Sequence, residues 1–189
     1  MIQQEFINTE KKILEQLETR FNEQKLLTQW QEKENNGLTD ILYVEHMGAG
    51  GDQKEVLGSY YFLPADTEGP QLHKFLIGIS ITEELHSWSL ELIQEAIAKI
   101  NFLLPVGAFV IDIKGKTLSY RLGLPFHPEE EPQRMMDVIG YYLVESMQYV
   151  SLWMDSLIYL DEGRISYEEF EEYLKTCMTL DDAEKDGHQ

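Results

Sequence analysis

One long apolar segment constrains the fold more than any other feature of the sequence. Residues 133 to 160 contain no proline, and their apolar side chains recur at helical spacing, which predicts a helix from about Gln133 to Leu160. One side of this helix carries Met135, Val138, Ile139, Tyr142 and Leu143. Apolar residues fill much of the remaining surface as well, and a helix of this kind must be covered on more than one side. A sheet can cover one side.

The other side of the predicted helix is a candidate interface. Its cover could be a second subunit, or it could be the first helix or the C-terminal segment of the same chain, and the sequence leaves these alternatives open. Aromatic and methionine side chains are common at protein interfaces, although they are also common in cores. The candidate interface residues are Met136, Tyr141, Val144, Met147, Tyr149, Leu152 and Trp153.

Five stretches have the pattern of β-strands. In the third, Phe75, Ile77 and Ile79 alternate with mostly smaller residues, which is typical of an antiparallel strand with one covered face. Lys114, Gly115 and Lys116 predict a short hairpin turn between the last two strands. The strands are expected at about residues 41–47, 56–63, 74–81, 106–113 and 118–124. The glycine-rich residues 48–52, the residues 64–70 and the acidic residues 125–132 are expected to form loops.

Two further long helices are predicted. A helical face spaced at Ile2, Phe6, Ile13, Leu17 and Phe21 predicts a helix from residue 2 to about 33. Gly37 is suited to the left-handed conformation that often ends a helix. Thr82 is a candidate N-cap for a helix that continues to about Leu103.

The end of the chain is strongly acidic. Ser166 and Glu169 are spaced as a capping box, which predicts a short helix from about Tyr167 to Cys177. We expect a single α+β domain in residues 1–160, a helical extension in 161–178 and a disordered acidic tail in 179–189.

The acidic composition restricts the partners of the chain. It has 15 Lys and Arg against 34 Asp and Glu, a formal net charge of −19. Nucleic acids and anionic membrane surfaces repel such a chain, so neither is an expected partner. Basic or amphipathic protein segments are permitted, and solubility alone also explains the charge.

Cysteine usage and hydropathy favour a cytoplasmic protein. Cys177 is the single cysteine, so an internal disulfide is excluded, which fits a reducing compartment. The N-terminal residues lack the basic and apolar regions of a signal peptide. No window approaches the roughly 18 apolar residues of a membrane-spanning helix.

Two motifs resemble ligand-binding loops, but each lacks residues that the ligand requires. Residues 161–170 resemble the second half of a calcium-binding EF-hand, but Ile158 and Leu160 then occupy the first and third ligand positions, and neither can donate oxygen. The glycine-rich residues 48–51 lead into Asp52 and a strand, whereas a phosphate-binding loop requires Lys and a helix there.

No catalytic or cofactor-binding set can be nominated. The five histidines show no local metal-ligand spacing; they are His46, His73, His86, His127 and His188. Cys177 lacks an obvious activating neighbour, and no serine has the context of a nucleophile elbow. We therefore expect a protein without a cofactor, without a bound metal and without enzymatic activity.

The order of predicted elements, α-β-β-β-α-β-β-α, resembles the type III secretion chaperone fold and the YbjN-like family that shares it. The resemblance is strongest from about Glu95 to Leu160. It includes the sequence 104–110, Leu-Pro-Val-Gly-Ala-Phe-Val, and the sequence 120–125, Tyr-Arg-Leu-Gly-Leu-Pro. It implies an antiparallel five-stranded sheet packed against helices, often in an acidic cytoplasmic dimer. It carries no catalytic residues.

Two functions from different classes follow. The first is a non-enzymatic protein-binding module, chaperone-like or a regulatory adaptor, that acts as a homodimer and binds client or regulatory proteins. The second is a small-molecule-binding or enzymatic domain with a cleft between the sheet and the first helix. Its support is the position of His73, His86 and His127 near predicted element ends.

Overall fold

A six-stranded antiparallel sheet organises the α+β fold in a computed structural model that describes residues 2–36, 38–64, 72–82 and 84–186. Side chains are described for residues 7–34, 38–64, 72–82 and 84–177. The elements in chain order are α1 (Ile2–Glu23), β1 (Leu27–Gln31), α2 (Lys33–Asn36), β2 (Ile41–Ala49), β3 (Lys54–Leu63), β4 (His73–Thr82), α3 (Leu90–Leu103), β5 (Ala108–Asp112), β6 (Thr117–Phe126), α4 (Pro132–Asp161) and α5 (Tyr167–Asp186).

The strand order across the sheet is β1-β2-β3-β4-β6-β5. The hairpin between β5 and β6 and the predicted strands are confirmed, with boundaries that shift by a few residues. The expected number of five strands is wrong because β1 adds a sixth at one edge. Pro125 was predicted in a loop but lies inside β6 opposite Lys74.

The first helix is shorter than the sequence predicts. It ends at Glu23 because Lys25 takes a left-handed conformation, with φ 63°, and the Leu26 amide donates to the Phe21 carbonyl at 3.1 Å. These features form a Schellman motif, which usually has glycine at the left-handed position. The following residues 27–31 then pair with β2. Gly37, the predicted cap, lies outside the described residues.

The helix after β4 starts later than predicted. Thr82 is the last residue of β4 and therefore does not cap a helix; Ser89 occupies the N-cap position of α3. Further along, the Asn101 side chain pairs with the backbone of edge strand β5. Its Oδ1 accepts from the Phe109 N–H at 2.8 Å, and its Nδ2 donates to the Phe109 carbonyl at 2.9 Å.

The two faces of the sheet have different surroundings because successive side chains of a strand point to opposite sides. On one face, Leu42, Tyr60, Phe75 and Ile77 are buried in a core shared with α1 and α4. On the other face, Tyr43 and Ser59 are half-buried and in register with each other.

The long helix α4 confirms the predicted helix, and the turn at its C-terminus accounts for the EF-hand-like sequence. The helix spans Pro132–Asp161, close to the expected limits. Gly163, with φ 67°, ends it in a second Schellman motif, in which the Arg164 amide donates to the Tyr159 carbonyl at 2.8 Å. The EF-hand-like sequence is thus a helix terminus followed by a capped helix.

The capping box at the start of α5 is confirmed. The Ser166 amide donates to Glu169 Oε2 at 2.7 Å, and the Glu169 amide donates to Ser166 Oγ at 3.2 Å. The helix continues to Asp186, beyond the expected end at residue 177 and into the segment predicted to be disordered. The domain boundaries at residues 160 and 178 stay predictions.

None of the helices within the described residues combines the length and apolar character needed to cross a membrane.

Candidate functional site

A ridge of exposed side chains runs along the outer side of α4. Tyr141, Val144 and Leu152 are 64%, 61% and 45% exposed, and the exposed Gln148 lies between them. At 3.6 residues per turn these four positions fall within about 80° of arc. We call Tyr141, Val144, Gln148 and Leu152 the α4 ridge.

The other candidate interface residues have different surroundings. Met136 and Trp153 are buried in the core of the chain, so their cover comes from the chain itself. Met147 and Tyr149 are half-buried, and Tyr149 Oη donates to Glu145 Oε1 at 2.7 Å. The chain itself therefore covers Met136 and Trp153 and leaves the residues of the α4 ridge exposed.

A groove lies between α4 and the first helix, and its lining includes Val144 and Gln148 of the ridge. This α1–α4 groove has a volume of about 430 Å³, and its walls include Leu17 and Phe21 of α1 and Leu143 and Met147 of α4. His46 of β2 lines it from the sheet side. The volume lies within the range of small-molecule sites.

A buried histidine–tyrosine pair lies beneath this groove. His46 Nε2 is 2.6 Å from Tyr60 Oη, and the Phe21 ring stacks on Tyr60 and meets the edge of His46. Burial lowers the pKa of His46 to about 4 and raises the pKa of Tyr60, because both charged forms lose hydration. Both groups are therefore neutral at pH 7.

A second cavity of about 420 Å³ lies between α4 and α5. Ser151 lines both this cavity and the α1–α4 groove, so the two are neighbours along α4. Asp155, also in its wall, accepts hydrogen bonds from the backbone amides of Gly51 and Asp52 in the β2–β3 turn. The amides of Gly51 and Asp52 in the glycine-rich loop are thus bonded to a carboxylate of the chain itself.

Ser89, His86 and Asp161 meet where α3 begins and α4 ends. Asp161 is 5% exposed; its Oδ2 is 2.9 Å from His86 Nδ1, and its Oδ1 accepts from the His86 amide at 2.9 Å and from Ser89 Oγ. A nucleophilic serine must pass its proton to the histidine. Ser89 is fully buried and bonds to the carboxylate instead, so this cluster joins two helices and lacks the connectivity of a catalytic triad.

The remaining sequence candidates do not converge. His73 lies 2.9 Å from Glu10 Oε1 on α1, and Cys177 is half-buried on α5. Among the described residues, no group of three or more His, Cys, Asp and Glu side chains is arranged to hold a metal. Neither His86 nor His127 contributes to the α1–α4 groove.

Sequence reasoning missed the role of His46. Its predicted strand was correct, and its alternation with Leu42 and Val44 could have placed it on the buried face. The partner Tyr60 lies on the next strand, and pairing of the two strands brings them together. The sequence matches no family model, and no curated protein matches it.

Proposed function

We propose that this chain is a non-enzymatic protein-binding module that acts as a homodimer through the α4 ridge. The observation that carries the proposal is the exposure of Tyr141, Val144 and Leu152 on a helix whose other sides are in the core. Exposed apolar stripes of this kind are typical of contact surfaces between proteins. Two antiparallel copies of a long helix can bury such stripes against each other in a closed, two-fold arrangement.

The fold order supports a chaperone-like or regulatory adaptor role within this proposal. With β1, α2 and α5 set aside, the elements follow the α-β-β-β-α-β-β-α order of the type III secretion chaperone fold and the YbjN-like family. The net charge of −19 favours clients with basic or amphipathic segments, because an acidic surface attracts them. A cytoplasmic location remains part of the same proposal.

The oligomeric state tests the α4 ridge directly. Light scattering behind size-exclusion chromatography should show a dimer for the unaltered chain and a folded monomer for Val144→Glu and Leu152→Glu. Ile113→Glu is the matched control, because Ile113 is also exposed but follows β5 rather than lying on α4. A monomeric unaltered chain, or folded ridge variants that stay dimeric, would contradict the proposal.

A second candidate function is supported by the α1–α4 groove. Its volume of about 430 Å³ and its apolar walls fall in the range of small-molecule sites, although it lies between α1 and α4 rather than between the sheet and the first helix, where the sequence suggested a cleft. Thermal stabilisation of the protein across a metabolite panel tests this function. A flat response across that panel would count against it.

A further inference from the structure

The packing of the chain does not require a glycine at residue 140, on the wall of the α1–α4 groove. Gly140 lies inside α4, where glycine costs about 1 kcal/mol relative to alanine. A Cβ atom at this position would meet only Arg20 Nη1, at 3.8 Å, which is an ordinary contact with a flexible side chain. Alanine would therefore fit the fold, and what glycine provides instead is room in the groove.

The same groove has a cation at its edge. Arg20 is exposed in the last turn of α1 and lines the groove. In a chain with 34 acidic residues, Arg20 takes part in no ion pair within the described residues, whereas Arg134 on α4 pairs with Glu130 at 3.0 Å. An arginine guanidinium is the side chain best matched to a carboxylate, because it offers two parallel N–H donors.

His46 supplies a neutral donor from the sheet side. A buried phenol needs an acceptor, and His46 Nε2 is the partner of Tyr60 Oη, so Tyr60 donates to that nitrogen. The proton of the neutral imidazole then resides on Nδ1, which has no hydrogen-bond partner among the described residues. The groove thus combines a cation, a neutral N–H donor and apolar walls.

We infer that the α1–α4 groove binds an apolar molecule that carries one carboxylate. Arg20 binds the carboxylate, and Leu17, Phe21 and Met147 contact the apolar body in the space that Gly140 leaves open. This inference rests on the second candidate function, and the groove shares Val144 and Gln148 with the α4 ridge. Because the net charge of −19 opposes the approach of anions, apolar contacts must supply much of the affinity.

The ligand class is tested with probes that share a carbon skeleton and differ only in the head group: an acid, its primary amide and the corresponding amine. Calorimetry at pH 7 should show binding of decanoate and 4-phenylbutanoate, roughly tenfold weaker binding of their primary amides, and no measurable binding of the corresponding amines. If amide and acid bind equally, the carboxylate class is wrong while the small-molecule function stands. If neither acid nor amide binds, the inference is wrong, and the metabolite panel decides the second candidate function separately.

Two variants locate the site. Arg20→Gln should weaken binding of the acids about tenfold and leave binding of the amides unchanged, whereas the control Arg134→Gln should change neither. Gly140→Ala should raise the melting temperature, since alanine favours the helix, and should weaken binding of acids and amides alike. Unchanged affinity in both Arg20→Gln and Gly140→Ala would overturn the assignment of this groove.

Discussion

Asp161, at the end of α4, accepts a hydrogen bond from the hydroxyl of Ser89, 72 residues earlier in the chain. The same carboxylate also accepts from the backbone amide and the ring of His86. One buried side chain therefore fixes the start of α3 against the end of the longest helix.

Replacing this carboxylate should be strongly destabilising. We expect Asp161→Ala to lower the free energy of unfolding by about 3 kcal/mol, because it leaves the His86 amide without an acceptor and removes the charged acceptor of the buried Ser89 hydroxyl, which retains only the His86 carbonyl at 2.8 Å. The measurement is urea unfolding followed by circular dichroism. His86→Ala is the control and should cost less than about 1 kcal/mol, because that ring is half exposed and its loss leaves the other two hydrogen bonds in place. Equal losses for the two variants would show that the contact with the His86 ring, rather than the hydrogen bond from the buried Ser89 hydroxyl, accounts for most of the stability that Asp161 provides.

Acid should destabilise the protein through His46. Its pKa is about 4 in the folded chain and 6.5 in an ordinary environment, so between these values the unfolded chain binds a proton that the folded chain does not. Stability is therefore fully present above pH 6.5 and falls as the pH is lowered toward 4, by roughly 3 kcal/mol at most. Unfolding curves from pH 7 to pH 4 measure this loss. Tyr60 contacts the ring and Arg20 lines the same groove, and neither changes its charge in this range.

The matched variant for this prediction is His46→Gln, which removes the titration. Its stability should be lower at pH 7, where the packing and the bond to Tyr60 are lost, but should change less with pH from 6.5 to 4. Parallel pH profiles for the two proteins would contradict the assignment of the acid sensitivity to His46.

The β2–β3 turn should not accept a side chain at residue 50. Gly50 has φ 70°, and a Cβ atom there would lie 2.7 Å from both carboxylate oxygens of Asp155. We expect Gly50→Ala to cost about 2 kcal/mol of unfolding free energy, through backbone strain and displacement of Asp155. Gly51→Ala is the control, with its Cβ 3.3 Å from a single oxygen. A thermal melt in which Gly51→Ala is the more damaging change would contradict this account.

The capping box should set the start of α5. Ser166→Ala removes the acceptor of the Glu169 amide, so we expect faster hydrogen exchange in the first turn of α5 and a lower melting temperature. Ser166→Thr retains a hydroxyl and should behave much like the unaltered chain. Exchange that is unchanged in the alanine variant would show that packing of Phe170, rather than the cap, holds this turn.

The sequence predicted those elements whose stabilising pattern lies within a single segment of the chain. The alternation in β4 and β6, the helical spacing in α4 and the Ser166–Glu169 box each lie within one segment, and the structure contains all of them. Edge strand β1 escaped notice because Leu27–Gln31 is largely polar, and because the helix before it ends at Glu23 with Lys25, rather than a glycine, in the left-handed conformation.

The site was less predictable because its contacts are not local. His46 meets Tyr60 only through strand pairing, and Asp161 meets His86 across 75 residues. The apolar character of α4 indicated that two kinds of cover were needed. The sheet sets the rotation of the helix about its axis. This rotation decides that Met136 and Trp153 face the core and that other residues form the ridge.

Asn101 has a consequence for how copies of this chain could associate. By bonding both backbone groups of Phe109, its side chain occupies one of the hydrogen-bonding positions that an incoming strand would need at β5. A fibre built by sheet extension requires two open edges on every copy, one to receive and one to offer. With β5 obstructed at Phe109, an incoming strand meets an incomplete edge, so a single amide side chain disfavours this mode of polymerisation.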